Sequence, residues 1–178
     1  IINHFRGSEK FKNHKIIVLG HSLGAFMMPK IANSISIDKA IMMAGNARDL
    51  QDVIIDQYVY LNNLNPTKEG EDEIIKLKKE VSLLTSNKIN TTASSDELPL
   101  GLSAKYWQSL INYKPLVEVK KVTIPLLILN GERDYQVTMK EFNLWKKTLV
   151  NTKTQFISYP KLNHLFIAGE GTPSPEEY

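Results

Sequence analysis

The chain is predicted to fold as an α/β domain with a parallel sheet, and three observations carry that prediction. Four short apolar runs, KIIVLG (15–20), KAIMMAG (39–45), IPLLILNG (124–131) and TQFISYP (154–160), read as strands. The first three are nearly continuous in hydrophobicity, the pattern of strands covered on both faces. The fourth is less regular. Helical stretches separate the runs, and strand–helix alternation builds parallel sheets. Finally, the first run ends in a serine between glycines, GHSLG (20–24), where a helix begins.

Each element follows from its own pattern. The helix after Ser22 should run to about Asn33, with Pro29 beyond its first turn kinking it or breaking its ladder. Residues 46–115 form a long excursion between the second and third strands. Within it Leu50, Ile54, Tyr58 and Leu61 are spaced for one helix face, and Ile74, Leu77, Val81 and Leu84 for another. The polar stretch SNKINTTASSDE (86–97) reads as a flexible loop. A helix is expected over Ser103–Tyr113, stopped by Pro115. In EFNLWKKTL (141–149), Phe142, Trp145 and Leu149 share one stripe.

Bulk properties exclude several classes of function. At 178 residues the chain is one domain's worth of polypeptide and can bury a sizeable core. Its 22 basic and 19 acidic residues are interspersed, and the densest basic cluster, KLKK (76–79), lies among Glu71, Asp72, Glu73 and Glu80. That is a solvated helix face, so no nucleic-acid partner is expected. The chain has no cysteine, which removes disulfides, thiolate metal sites and a cysteine nucleophile. It leaves the compartment open between cytoplasm and exterior. No apolar run reaches the roughly 18 residues that span a bilayer, so no membrane partner is expected. The chain opens on Ile1 rather than Met, so a removed leader or a longer parent stays open. No histidine-pair spacing marks a metal site, and GEGTP (169–173) lacks the strand–turn–helix setting and the Lys-Ser/Thr of a phosphate loop. No cofactor is called for.

The chemistry sits at GHSLG. A serine at a sharp strand-to-helix turn is thrust out at the carboxyl edge of the sheet. Gly20 and Gly24 are expected because the turn leaves no room for Cβ atoms on either side. The helix beginning at Leu23 points its free N–H groups at the site, so the Leu23 amide is the natural first oxyanion donor. A serine hydroxyl is a weak nucleophile until a base takes its proton, and the base needs a third group to orient it. Two later strands end in suitable residues. LLILNGERDYQV puts Asp134 in the loop after the third strand, and ISYPKLNHLF puts His164 in the loop after the fourth. Glu132 stays open as an alternative acid if the turn is short. His4 and His14 precede the serine and are disfavoured by chain order. His21, on a turn where neighbouring side chains point apart, is expected to pack or to line the pocket.

With these residues placed, the chain resembles the α/β-hydrolase superfamily. More narrowly, it resembles bacterial carboxylesterases of the dienelactone-hydrolase and cinnamoyl-esterase kind, including members with a small extra domain before the hydrolase. The matching stretches are VLGHSLGAFMMPKIA, MAGNARDL, YWQSLINYKP, LILNGERDYQVT and YPKLNHLF. The resemblance implies Ser22 as nucleophile, Asp134 as acid and His164 as base, acting on a small-molecule ester. It implies a hydrolase core over 1–45 and 116–178 and a helical cap over 46–115 that shapes the acyl pocket. Tyr58, Tyr60, Tyr106, Trp107 and Tyr113 make that cap aromatic, a slight lean toward an apolar or aromatic acyl group. Tyr106 and Trp107, with His21, are the candidate pocket residues.

The pattern departs from the family at its ends. A complete hydrolase sheet has four strands before the one leading into the serine turn, and a loop after the third supplies the second oxyanion donor. Here 21 residues precede Ser22, and the family's closing helix after the histidine is not seen. The expectation is therefore the C-terminal part of a longer hydrolase, weakly active or inactive alone. Losing one oxyanion donor costs roughly a hundredfold to a thousandfold. The first strand would become an exposed edge and invite self-association. A peptidase or thioesterase using the same three residues is the alternative within enzymes. Outside them, the alternative is a non-catalytic binding module on the same fold.

Overall fold

The computed structural model describes residues 1–86, 93–150 and 153–178. The elements run α1 (Ile2–Gly7), β1 (Ile17–His21), α2 (Leu23–Phe26), α3 (Met28–Ser34), β2 (Lys39–Met43), α4 (Leu50–Leu64), α5 (Lys68–Thr85) and α6 (Ala104–Ile111). Then come α7 (Pro115–Glu118), β3 (Leu126–Gly131), α8 (Met139–Thr148) and β4 (Thr154–Tyr159). They form two compact units, one of residues 1–47 with 115–173, the other of residues 48–114 with 174–178.

The first unit holds a four-stranded sheet in the order β1-β2-β3-β4, parallel throughout. The register pairs Leu19 with Ile41, Ile41 with Leu127 and Ile128 with Phe156. The amino ends of β1 and β2 are tied by Asp38, whose carboxylate accepts the Ile16 amide at 2.7 Å and the Arg6 guanidinium at 2.6 Å. The Ile16 amide, aided by Arg6, holds the Asp38 carboxyl below the usual carboxylate range.

The helix after Ser22 is broken as expected: α2 ends at Phe26 and α3 restarts at Met28, with Pro29 in its first turn. A proline there loses no ladder hydrogen bond. Helix α8 buries Phe142, Trp145 and the following Leu149, while Lys146 and Lys147 complement the dipole at its last turn. These side chains, with Ala25 and Met28 from α2 and α3, pack on Ala40, Met42, Leu126 and Ile128.

Covering on both faces is not what the described residues show. Side chains alternate across a strand, and it is the set on the α8 side that is buried. On the opposite face Ile17 is 53% and Leu19 is 55% exposed. Among the described residues β1 pairs with β2 alone and is an edge strand.

In the second unit α4, α5 and α6 enclose Ile54, Leu77, Val81, Leu84, Leu98, Ala104 and Trp107. Thr67 caps α5 by accepting the Gly70 amide, and Ser103 caps α6 by accepting the Tyr106 amide. Pro115 follows α6 and opens α7 rather than only stopping a helix. Of the expected flexible loop at 86–97, residues 87–92 lie outside the described residues, and Ser95–Glu97 form a single 3-10 turn.

Candidate active site

Parallel strands bring the candidate residues to one edge. Ser22 follows β1, the turn bearing Asp134 follows β3, and the loop bearing His164 follows β4. Yet β1 and β4 are the two outermost strands, separated by three strand spacings, or about 14 Å. The histidine loop must therefore run back across the carboxyl ends of β3 and β2.

Gly131, the last residue of β3, makes the first crossing possible. A Cβ there would stand 2.2 Å from the carbonyl oxygen of Leu162. The passing loop is tacked down where it crosses: Glu132 N–H donates to Tyr159 O at 3.0 Å and Arg133 N–H to Leu162 O at 3.0 Å. Asn163, 1% exposed, then shapes the far side. Its Oδ1 accepts the amides of Leu165 and Ile167, each at 3.0 Å, and holds a turn in which Phe166 takes φ 60°.

Asp134 and His164 meet. His164 Nδ1 lies 2.8 Å from Asp134 Oδ2, with the Asp134 side chain fully buried and that of His164 only 6% exposed. A carboxylate only accepts, so Nδ1 carries the proton and Nε2 of the neutral ring is free to take one. The other oxygen of Asp134 accepts the amides of Gln136 and Val137, each at 2.8 Å. Asn130 Nδ2 holds that turn through the carbonyls of Gly131 and Val137, both at 3.0 Å. Glu132, the alternative acid, instead accepts from the Ser158 hydroxyl at 2.7 Å. His4 and His14 are exposed on the segment before β1, each edge-on to a phenylalanine.

At the serine turn, Ser22 has φ 53° and ψ −117°, a backbone region that disfavours any side chain. Its amide donates to Met43 O at 2.9 Å, and the Leu23 amide, first in α2, has no partner four residues back in its helix. Crowding explains Gly20, where a Cβ would lie 2.4 Å from Gly24 O. It does not explain Gly24, where a Cβ would meet nothing within 4 Å. The expectation of symmetrical crowding is corrected: the tight contact is between the α-carbon of Gly20 and the backbone of Gly24, so only the first position is closed. Among the described residues Ser22 Oγ makes no hydrogen bond to the imidazole of His164. Such bonds often form only in the substrate complex.

His21 links the serine turn to the histidine loop. Its Nε2 lies 2.8 Å from the backbone carbonyl of His164, and the two rings stand 4.8 Å apart at 47°. The sequence reading gave it only packing or pocket lining.

Beneath the turn, the loop after β2 is held by two side chains of α8. Glu141 accepts the Ala47 amide at 2.8 Å, and Trp145 Nε1 donates to Gly45 O at 2.7 Å. Glu141 is fully buried. Sequence reasoning missed Glu141, Asn130 and Asn163 as supports. The available signal was a polar residue inside an otherwise apolar stripe or strand end. Of the candidate pocket residues, Trp107 fills the core of the second unit, fully buried, with its indole N–H on Pro99 O at 3.1 Å. Tyr106 is half-buried, edge-on to it at 5.9 Å. Among the described residues no three His, Cys, Asp or Glu side chains cluster as a metal site would require, and no helix is long and apolar enough to cross a membrane.

These features define the chain by class: it carries the α/β-hydrolase fold. The first unit's parallel sheet, flanked by helices and ending in a strained serine turn, has counterparts among solved hydrolases. Est1E from Butyrivibrio proteoclasticus superposes with a TM-score of 0.56 at 17% identity, over 93% of this chain and 58% of that one. An α/β-fold hydrolase from Bacillus anthracis gives 0.52 at 19%, over 92% and 65%. The acylaminoacyl peptidase of Pyrococcus horikoshii gives 0.54 at 18%, over 92% and 22%. In sequence the chain is similar to esterase EstD of Thermotoga maritima, 39% identical over 165 residues. That alignment spans 92% of this chain and 38% of EstD. No protein-family profile matches the chain.

Proposed function

We propose that the protein is a serine hydrolase of carboxylic esters. In this reading Ser22 is the nucleophile, His164 the base, Asp134 the orienting acid and the Leu23 amide an oxyanion donor. The observation that carries it is the buried Asp134–His164 hydrogen bond, tied through His21 to the strained turn that presents Ser22. Similarity to an esterase over most of the chain supports the same reading.

The geometry translates into steps. Ser22 Oγ attacks the ester carbonyl carbon while its proton passes to His164 Nε2, and the carbonyl π pair moves onto oxygen, facing the Leu23 N–H. Asp134 keeps the proton on Nδ1 and stabilises the imidazolium. Collapse expels the alcohol, which leaves with the proton from Nε2, and an acyl-Ser22 ester remains. Water gives a proton to the same Nε2 and attacks that ester; as the bond to Oγ breaks, Nε2 returns the proton to Ser22 Oγ and the acid is released. The two oxygens of Asp134 face three N–H donors.

The test is covalent labelling of the full-length protein with a fluorophosphonate, followed by peptide mapping. Label on Ser22, lost in Ser22→Ala, is the expected result. An unlabelled protein with native thermal unfolding removes the hydrolase reading in favour of a binding module. p-Nitrophenyl esters of rising acyl length, set against aminoacyl p-nitroanilides, then separate esterase from peptidase.

A further inference from the structure

We infer that His21 is a positioning residue for the base, fixing the His164 backbone over the serine turn through its Nε2–H. The inference rests on the triad reading above.

His164 lies five residues beyond β4, in a loop that starts at the far edge of the sheet. Two ties near the histidine are made at or just after β3: the Arg133 amide on Leu162 O and the Asp134 carboxylate on the imidazole. Both fix the loop relative to the acid. Neither fixes it relative to the nucleophile. The contact that does so is His21 Nε2 on the His164 carbonyl at 2.8 Å.

A carbonyl oxygen only accepts, so His21 Nε2 must carry the proton. It does so in both the neutral Nε2–H tautomer and the cation, and the tie survives protonation at Nδ1. Because His21 and Ser22 share a peptide bond, one side chain links the carrier of the nucleophile to the carrier of the base, 143 residues away. A displacement of about 1 Å at a reacting centre costs on the order of a hundredfold. A loop spanning three strand spacings needs such a stop.

In the full-length protein, His21→Phe keeps a ring and removes the donor, whereas His21→Gln places an amide N–H near the position of Nε2. With a p-nitrophenyl ester, His21→Phe is expected to lower kcat about tenfold to a hundredfold with KM within about twofold. Labelling of Ser22 by a fluorophosphonate should slow in parallel. His21→Gln should recover both to within about threefold of native. Native kcat in His21→Phe overturns the inference, as does a His21→Gln protein as slow as His21→Phe. If His21→Phe does not fold, His21→Gln is compared with His21→Asn, whose amide is too short to reach: equal rates overturn the inference, and a slower His21→Asn supports it. A native protein that takes no label at Ser22 removes the triad reading and this inference together. Labelled Ser22 with kcat indifferent to His21 removes the inference alone.

Discussion

Gly131 and Leu162 are packed backbone on backbone: a single Cβ on the glycine would stand 2.2 Å from the leucine carbonyl oxygen and 2.7 Å from that of Asn163. The chain crosses itself here, where the loop after β4 passes over the end of β3. Gly131→Ala must lift the loop or bend the strand. The expected cost is that of overpacking, about 1–3 kcal/mol, or roughly 2–4 °C in Tm for each kcal/mol. Fluorophosphonate labelling should slow more than the loss of stability explains, because His164 moves with the loop.

The two glycines flanking the serine should behave differently. Gly20→Ala drives a methyl group into the Gly24 carbonyl and is expected to destabilise the protein by more than about 1 kcal/mol. Gly24→Ala enters open space within α2 and should leave Tm unchanged or raise it, since alanine is favoured in a helix by up to about 1 kcal/mol. Thermal unfolding of the two variants side by side checks the asymmetry.

Ser22 holds its strained backbone at a cost of about 1–3 kcal/mol. Ser22→Gly relieves that strain and Ser22→Ala does not. Both should abolish labelling, and the glycine variant should be the more stable of the two by about 1 kcal/mol or more despite its greater freedom when unfolded. Equal Tm values would show that the turn stores no strain.

Asp134→Asn preserves the shape of the acid but not its donor arithmetic. One carboxylate oxygen faces two backbone N–H groups and the other faces the imidazole N–H. An amide must point its own N–H at one of these sets, so either the turn loosens or the imidazole takes the wrong tautomer. Turnover of a p-nitrophenyl ester is expected to fall about ten-thousandfold, the scale known for this change in serine proteases.

Asp38 gives the pH dependence a definite sign. Its folded carboxyl is held below the ordinary value of 3.8 by the Ile16 amide and Arg6. Its stabilising contribution is therefore complete above that ordinary value and lost as pH falls through the lower folded value. The Tm gap between native protein and Asp38→Asn should be full at neutral pH and close only below about pH 4. A gap that closed instead at neutral pH would point to another group.

The strands were legible because each is a short apolar run bounded by Gly, Pro or polar residues, and the broken helix because Pro29 sits where a ladder would fail. The open sheet face was not legible. A run such as KIIVLG is apolar at every step, so composition cannot say which alternate side chains meet a helix layer. Asp134 and His164 were readable as candidates from their place after strands. Glu132 stayed open as a weaker alternative, since one turn's curvature decides which carboxylate faces inward. Trp107 was open between pocket lining and core, and it packs in the core of the second unit, a distinction that depends on what surrounds it.

By itself, then, the order of apolar runs, breakers and reactive residues determined the strands, the helix breaks and the chain order of the candidate triad. These are local properties, set by backbone sterics and periodic burial. Only the tertiary structure decided that the loop after β4 crosses back at Gly131, that Asp134 rather than Glu132 meets the imidazole, and that His21 grips the His164 carbonyl. Each of these is a contact between segments distant in sequence, chosen by packing and by the need to satisfy buried donors and acceptors.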